Sequence, residues 1–207
     1  MYALVESESI TKIFSNPKGF SLGDIQYSKD IFTKWSVEEK EAIGIYEIVF
    51  DDTNKKDEEW YINTNQSFTF ANDVVTASYG TAVAKAHADS LWTQQDSDDD
   101  LMSDDKSVGD VKVEGLKTRL IRTLKQQVAG ILNNTDWYIT RKSEKSTAIP
   151  SAITTHRDLV RSRQATMETQ ITNANDTLAL ETLYTYTTDS DGVHQPRPLG
   201  ELPTLEI

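Results

Sequence analysis

Apolar positions recur at helical spacing between residues 113 and 132: Val113, Leu116, Leu120, Leu124, Val128, Ile131 and Leu132. At about 100° per residue they share one broad face, and Arg119, Arg122, Lys125 and Gln126 lie off it. A face this wide can touch two neighbours. Asn133-Asn134 suits the end of the helix, because Asn tolerates the left-handed conformation of a C-terminal cap. Thr135 or Asp136 is then a fit N-cap for a second helix that opens at Trp137 and ends by Ser146. Pro150 belongs in the first turn of a third helix, where its missing N–H costs nothing. On that helix Ile149, Ile153, His156, Val160, Met167, Ile171 and Ala174 share one face, with Arg157 and Arg161 four residues apart beside it. Asn175 or Asp176 can cap a fourth helix over residues 177–183.

In the front half the pattern changes to short β-like runs of alternating and apolar residues over 2–5, 9–14, 25–27, 45–50, 59–62, 67–70 and 74–79. Asn16-Pro17-Lys18-Gly19 punctuates the second and third runs. Asn72-Asp73 turns the last two into a hairpin. Ser36 followed by Glu39 is a capping-box signature for one short helix, which Gly44 stops. Residues 81–92 are Ala-rich and fit either helix or an extended arm. The expected architecture is α+β, in four parts: a small antiparallel β-rich domain (1–92), an acidic linker (93–110), a helical module of three to four helices (111–183) and an extended tail (184–207). The tail contains Leu199, Leu202, Leu205 and Ile207, unusually apolar for a loose end, and is expected to pack on its own domain rather than on a partner.

Charge sharpens this division. Residues 1–110 hold 22 acidic and 9 basic side chains, net −13, whereas 111–207 hold 11 and 12, net +1. Six aspartates fall within residues 96–105, a composition expected to repel itself and stay extended. An acidic front disfavours nucleic acid and anionic membranes. The 11 basic and 5 acidic residues of 111–174 raise a nucleic-acid alternative, weakened because the basic side chains spread over several helices. No run of 18 apolar residues exists, so membrane insertion is not expected.

Candidate chemistry is sparse. There is no cysteine, which removes disulfides, thiolate catalysis and Cys-based zinc sites. An EF-hand loop counted from Asp96 would need Gly at its sixth position and Glu at its twelfth, where this chain has Leu101 and Ser107. His87, His156 and His194 lack metal spacing, and His156 reads as a packed histidine on an apolar stripe. Neither a Gly-x-Ser-x-Gly elbow nor a glycine-rich phosphate loop is present. The expectation is a protein without enzymatic activity and without cofactors.

The residues also carry a resemblance. Ile131-Leu132, Thr135-Asp136-Trp137, Ala148-Ile149-Pro150, Thr155-His156-Arg157 and Leu159-Val160-Arg161 resemble the helical module of bacteriophage tail assembly chaperone proteins. His156 stands where that family usually has Tyr. The runs Met1-Tyr2-Ala3-Leu4-Val5-Glu6, Phe32-Thr33-Lys34-Trp35-Ser36 and Ala42-Ile43-Gly44-Ile45-Tyr46 are similar to N-terminal regions of tail-associated phage proteins. The resemblance implies a structural or assembly protein of the tail or tail fibre, located in the virion and in the host cytoplasm during assembly. Its partners would be other virion proteins within an oligomeric assembly. An alternative is a transient tail assembly chaperone. A third is a receptor- or glycan-binding module, with Trp35, Trp60 and Tyr61 as its stacking surface. The candidate partner-binding residues are Trp137, Tyr138, Arg141, Arg157 and Arg161. Trp137 has two readings, an exposed anchor or a core residue locking the second helix to the first, and the core reading is the expectation. Arg157 and Arg161 either grip a carboxylate or phosphate or lie on a solvated face relieved by Asp158.

Overall fold

The computed structural model describes residues 1–205 and has the expected α+β composition. It divides into two compact units, Met1–Val83 and Ala84–Ile207. The expected boundary at residue 92 therefore moves upstream.

The first unit is built on five strands: β1 (Tyr2–Glu6), β2 (Ser9–Phe14), β5 (Ile45–Asp51), β7 (Ser67–Ala71) and β8 (Val74–Ser78), in the spatial order β2-β1-β5-β8-β7. β3 (Phe20–Leu22) and β4 (Ile25–Tyr27) form a separate hairpin. The helices α1 (Ile31–Lys34) and α2 (Val37–Glu41) follow, and β6 (Tyr61–Ile62) lies between β5 and β7. The sheet is mixed, not purely antiparallel: β5 and β8 pair in parallel, with Ile48 opposite Val75 and Phe50 opposite Ala77. The two tight turns of this sheet use residues in the left-handed region, Ser7-Glu8 and Asn72-Asp73, whose twist matches that of the flanking strands. Ser36 accepts from the Glu39 amide while the Glu39 carboxylate accepts from the Ser36 amide, closing the capping box ahead of α2. Strand alternation sends two sets of side chains to opposite faces. Leu4, Phe14, Phe20, Phe32 and Ile45 make one core. Ala3, Val5, Ile48, Val75 and Ala77 make the other, closed by Phe68 and Phe70 as the sheet curls β7 towards β2.

Residues 81–92, which run across the boundary, are not helical and give β9 (Val83–Ala84), which straddles it, and β10 (Ser90–Leu91) in the second unit. The acidic stretch is not a free tether. It contains α3 (Gln94–Asp98) and leads into β11 (Val111–Val113), antiparallel to β10. Aspartate repulsion alone would keep the run extended, but Asp96 closes the capping box of α3 with Thr93 and forms a salt bridge with Lys112. Asp105 likewise pairs with Lys106 at 3.2 Å.

The four helices are α4 (Leu116–Asn133), α5 (Asp136–Lys145), α6 (Ser151–Asn173) and α7 (Thr177–Tyr184). Leu116, Leu120, Leu124 and Val128 of α4 are buried, as are Ile153, Val160, Met167 and Ile171 of α6, each contributing about 1.5–3 kcal/mol. The two helices run antiparallel: Lys117 at the start of α4 donates to the Thr172 carbonyl, and the Leu132 carbonyl near its end receives Arg157 from early α6. Val113 lies in β11 and not on the first helix. Gly115 has no side chain to cap α4, and Asp89 substitutes by accepting from the Gly115 amide and the Thr118 hydroxyl, both at 2.7 Å. A Cβ at Gly115 would lie 2.3 Å from the Ala88 carbonyl carbon, so only glycine fits this approach. Asp176 caps α7 through the Ala179 amide. The final strands β12 (Thr187–Thr188) and β13 (His194–Gln195) form a small hairpin. Leu199 then inserts into the module at 1% exposure, in agreement with the packed-tail expectation, while Leu202 and Leu205 are half-buried. Ile207 lies outside the described residues.

Candidate interaction surface

The α4–α5–α6 junction brings the motif residues together. Asn134 keeps a right-handed helical conformation and not the expected left-handed one, so α4 passes into α5 with only Asn134 and Thr135 between them. Thr135 does not cap by accepting an α5 amide. Its buried hydroxyl instead donates to the Leu132 carbonyl at 3.0 Å and accepts from Arg157 at 2.6 Å. Arg157 also donates to the Leu132 carbonyl at 2.8 Å and pairs with Asp136 at 2.8 Å. Its side chain is only 9% exposed. One guanidinium thereby ties the Leu132 carbonyl at the end of α4, which also accepts from the Thr135 amide and hydroxyl, to the carboxylate in the first turn of α5.

Arg157 is buried and held by its own chain at Leu132, Thr135 and Asp136, which takes it out of the candidate partner-binding residues. Nor is it on a solvated face, and Asp158 pairs with Arg161 at 3.6 Å. Arg161 remains exposed.

Trp137 departs from expectation in the opposite sense. It is 51% exposed, and α5 buries no residue at all. The reason lies in the junction: Arg157 and Thr135 hold α5 at its first turn by polar bonds, so no apolar lock is required. Trp137 packs instead on Tyr138, ring centroids 3.8 Å apart at 32°. The Arg141 guanidinium sits 4.7 Å from the Trp137 centroid and 5.1 Å from that of Tyr138, within cation–π range of both. Its Nε is shielded from solvent without an acceptor. Trp137, Arg141 and Lys145 follow one another at i, i+4 spacing, with Tyr138 and Lys142 beside them. Lys142 and Lys145 are a part of this surface that the sequence reading left out, although the four-residue spacing was there to find it. None of the three cations makes a salt bridge among the described residues.

Glu201 is partly desolvated, which pushes its pKa up, but hydrogen bonds from Tyr186 and Arg197 outweigh this and leave it below the ordinary value. His156 is buried on α6, as its apolar stripe suggested. The proposed sugar-stacking trio does not form an open platform: Trp60 and Tyr61 are buried, and Trp35 packs edge-on against Tyr27 beside the first core. No helix of the described residues is long and apolar enough to cross a membrane.

Comparison with protein-family models, with curated proteins and with solved structures returns no match.

Proposed function

We propose that this chain is a non-enzymatic structural or assembly protein of a bacteriophage tail, acting through contacts with other virion proteins. One observation carries the reading. Leu132, Thr135, Asp136 and Arg157, which carry the resemblance in sequence, form a single hydrogen-bonded joint. The product of that joint is a helix displaying Trp137, Tyr138 and Arg141, the residue types that dominate interface energetics. The motif is thus a way of presenting a surface. The protein remains in the virion on this reading, and the alternative is a chaperone that leaves after assembly.

The test is mass spectrometry of purified phage particles, combined with affinity capture of the tagged chain from the producing lysate. A tail polypeptide captured in fixed ratio, with the chain present in particles, is the expected result. Capture without presence in particles selects the chaperone alternative. Failure to capture any tail polypeptide removes both.

A further inference from the structure

The second unit carries two exposed surfaces of complementary chemistry. On α5 three cations, Arg141, Lys142 and Lys145, flank the Trp137–Tyr138 ring pair and make no salt bridge among the described residues. At the C-terminal end of α3, Asp98, Asp99 and Asp100 precede Leu101, and Asp104 follows. Among the described residues, Asp98 and Asp99 accept only from the neutral amides of Gln94 and Gln95. Leu101 is 62% exposed, held there by its amide bond to the Asp96 carbonyl and by the left-handed backbone of Asp100. Carboxylates at a helix C-terminus face the negative end of its dipole, where cations are favoured, and the last turn of α3 has none. The segment thus offers uncompensated anions around an apolar tip. The α5 face offers uncompensated cations around an aromatic pair.

We propose that these two surfaces dock on one another between copies of this chain, the Asp98–Asp104 segment of one copy lying on the α5 face of a second. Leu101 packs on the Trp137 and Tyr138 rings, and the aspartates meet Arg141, Lys142 and Lys145. The contact is head-to-tail, since the two patches differ, so a pair of copies keeps one free acidic patch on one copy and one free basic patch on the other, and association continues until a ring closes. A contact of this size is at the weak end of specific interfaces, and its charges are exposed enough to be screened by salt. The proposal rests on the complementarity within this chain and stands apart from the phage reading.

Analytical ultracentrifugation of the full chain tests it at low salt and at about 0.5 M salt, where the screening length falls to a few ångströms. The expected result is concentration-dependent association at low salt that dissociates at high salt. Arg141→Glu with Lys142→Glu, and separately Asp99→Lys with Asp104→Lys, each weaken association at least tenfold with unchanged circular dichroism. An equimolar mixture of the two charge-swapped variants associates again, because each retains the surface the other has lost. A chain that stays monomeric at low salt overturns the proposal. So does association that neither swap affects, or a mixture that fails to restore it. Monomers that capture heparin or an oligonucleotide through α5 overturn it in favour of a polyanion site.

Discussion

Arg157 and Trp137 are twenty residues apart and look alike as interface candidates in sequence, yet the structure gives them opposite duties. Arg157 is buried and ties Leu132, Thr135 and Asp136 together. Trp137 stands half in solvent, its ring stacked on Tyr138 and under the Arg141 guanidinium. Replacing Arg157 by Met keeps the aliphatic bulk but removes its charge-assisted contacts to the Leu132 carbonyl, the Thr135 hydroxyl and the Asp136 carboxylate, at a cost of roughly 1.5–3 kcal/mol. Trp137→Ala removes only a partly exposed ring and its cation–π contact, about 0.5–1 kcal/mol. Urea unfolding of the two variants measures both. A denaturation midpoint for Arg157→Met no lower than that of Trp137→Ala would mean the joint holds nothing. The sequence could not separate the two because an Arg beside an apolar stripe reads equally as a solvated cation or as a buried tie. Only the carbonyls it reaches decide, and those are set by where α4 ends.

At the scale of elements, strong local codes were legible and long-range ones were not. The Ser36–Glu39 capping box, the Asn72-Asp73 turn and the 3.6-residue stripe of α4 are written within a few neighbouring residues, and each forms where its signature stands. The parallel pairing of β5 with β8 depends on a chain return that no local pattern encodes. The α3 segment failed for a related reason. Aspartate density argues for extension, but one member, Asp96, meets Thr93 close by and Lys112 far along the chain. The hydrogen bond from Lys112, reinforced by Thr93, lowers the Asp96 pKa from 3.8 to about 2. A folded-state pKa below the unfolded one stabilises the native state above the ordinary carboxylate value, and that stabilisation is lost as pH falls towards the lowered one. Wild type is therefore more stable than Asp96→Asn at pH 5, and the difference disappears as pH drops from 3.8 to about 2. In a carboxyl-carbon NMR titration, Lys112→Met moves the Asp96 midpoint up towards the ordinary value. A midpoint unmoved by that substitution would show the Lys112 contact to be absent in solution.

Across the whole molecule, placing the boundary after Val83 redistributes the charge. Residues 1–83 hold 14 acidic and 7 basic side chains, net −7, and residues 84–110 hold 8 and 2, net −6. Nearly half of the acidic excess read from the front thus belongs to the same unit as the basic helices, so the polarity of the chain lies within its second unit. The segment is also structural there. Asp89 caps α4, β10 pairs with β11, the Lys85 carbonyl accepts from Thr177 at 2.6 Å, and Leu199 fills the module from the other end. A fragment of residues 111–183 has every helix the sequence marks out but lacks all four supports. The orphaned α4 cap alone costs about 1 kcal/mol, and removing the Leu199 side chain a further 2–5 kcal/mol, a large share of the 5–15 kcal/mol typical of a domain. The 84–207 fragment is therefore expected to unfold in urea as one cooperative transition with dispersed amide NMR signals, whereas 111–183 retains helical circular dichroism but melts over a broad range. Equal midpoints for the two fragments would mean that the helices carry their own stability and that residues 84–110 are dispensable to the fold.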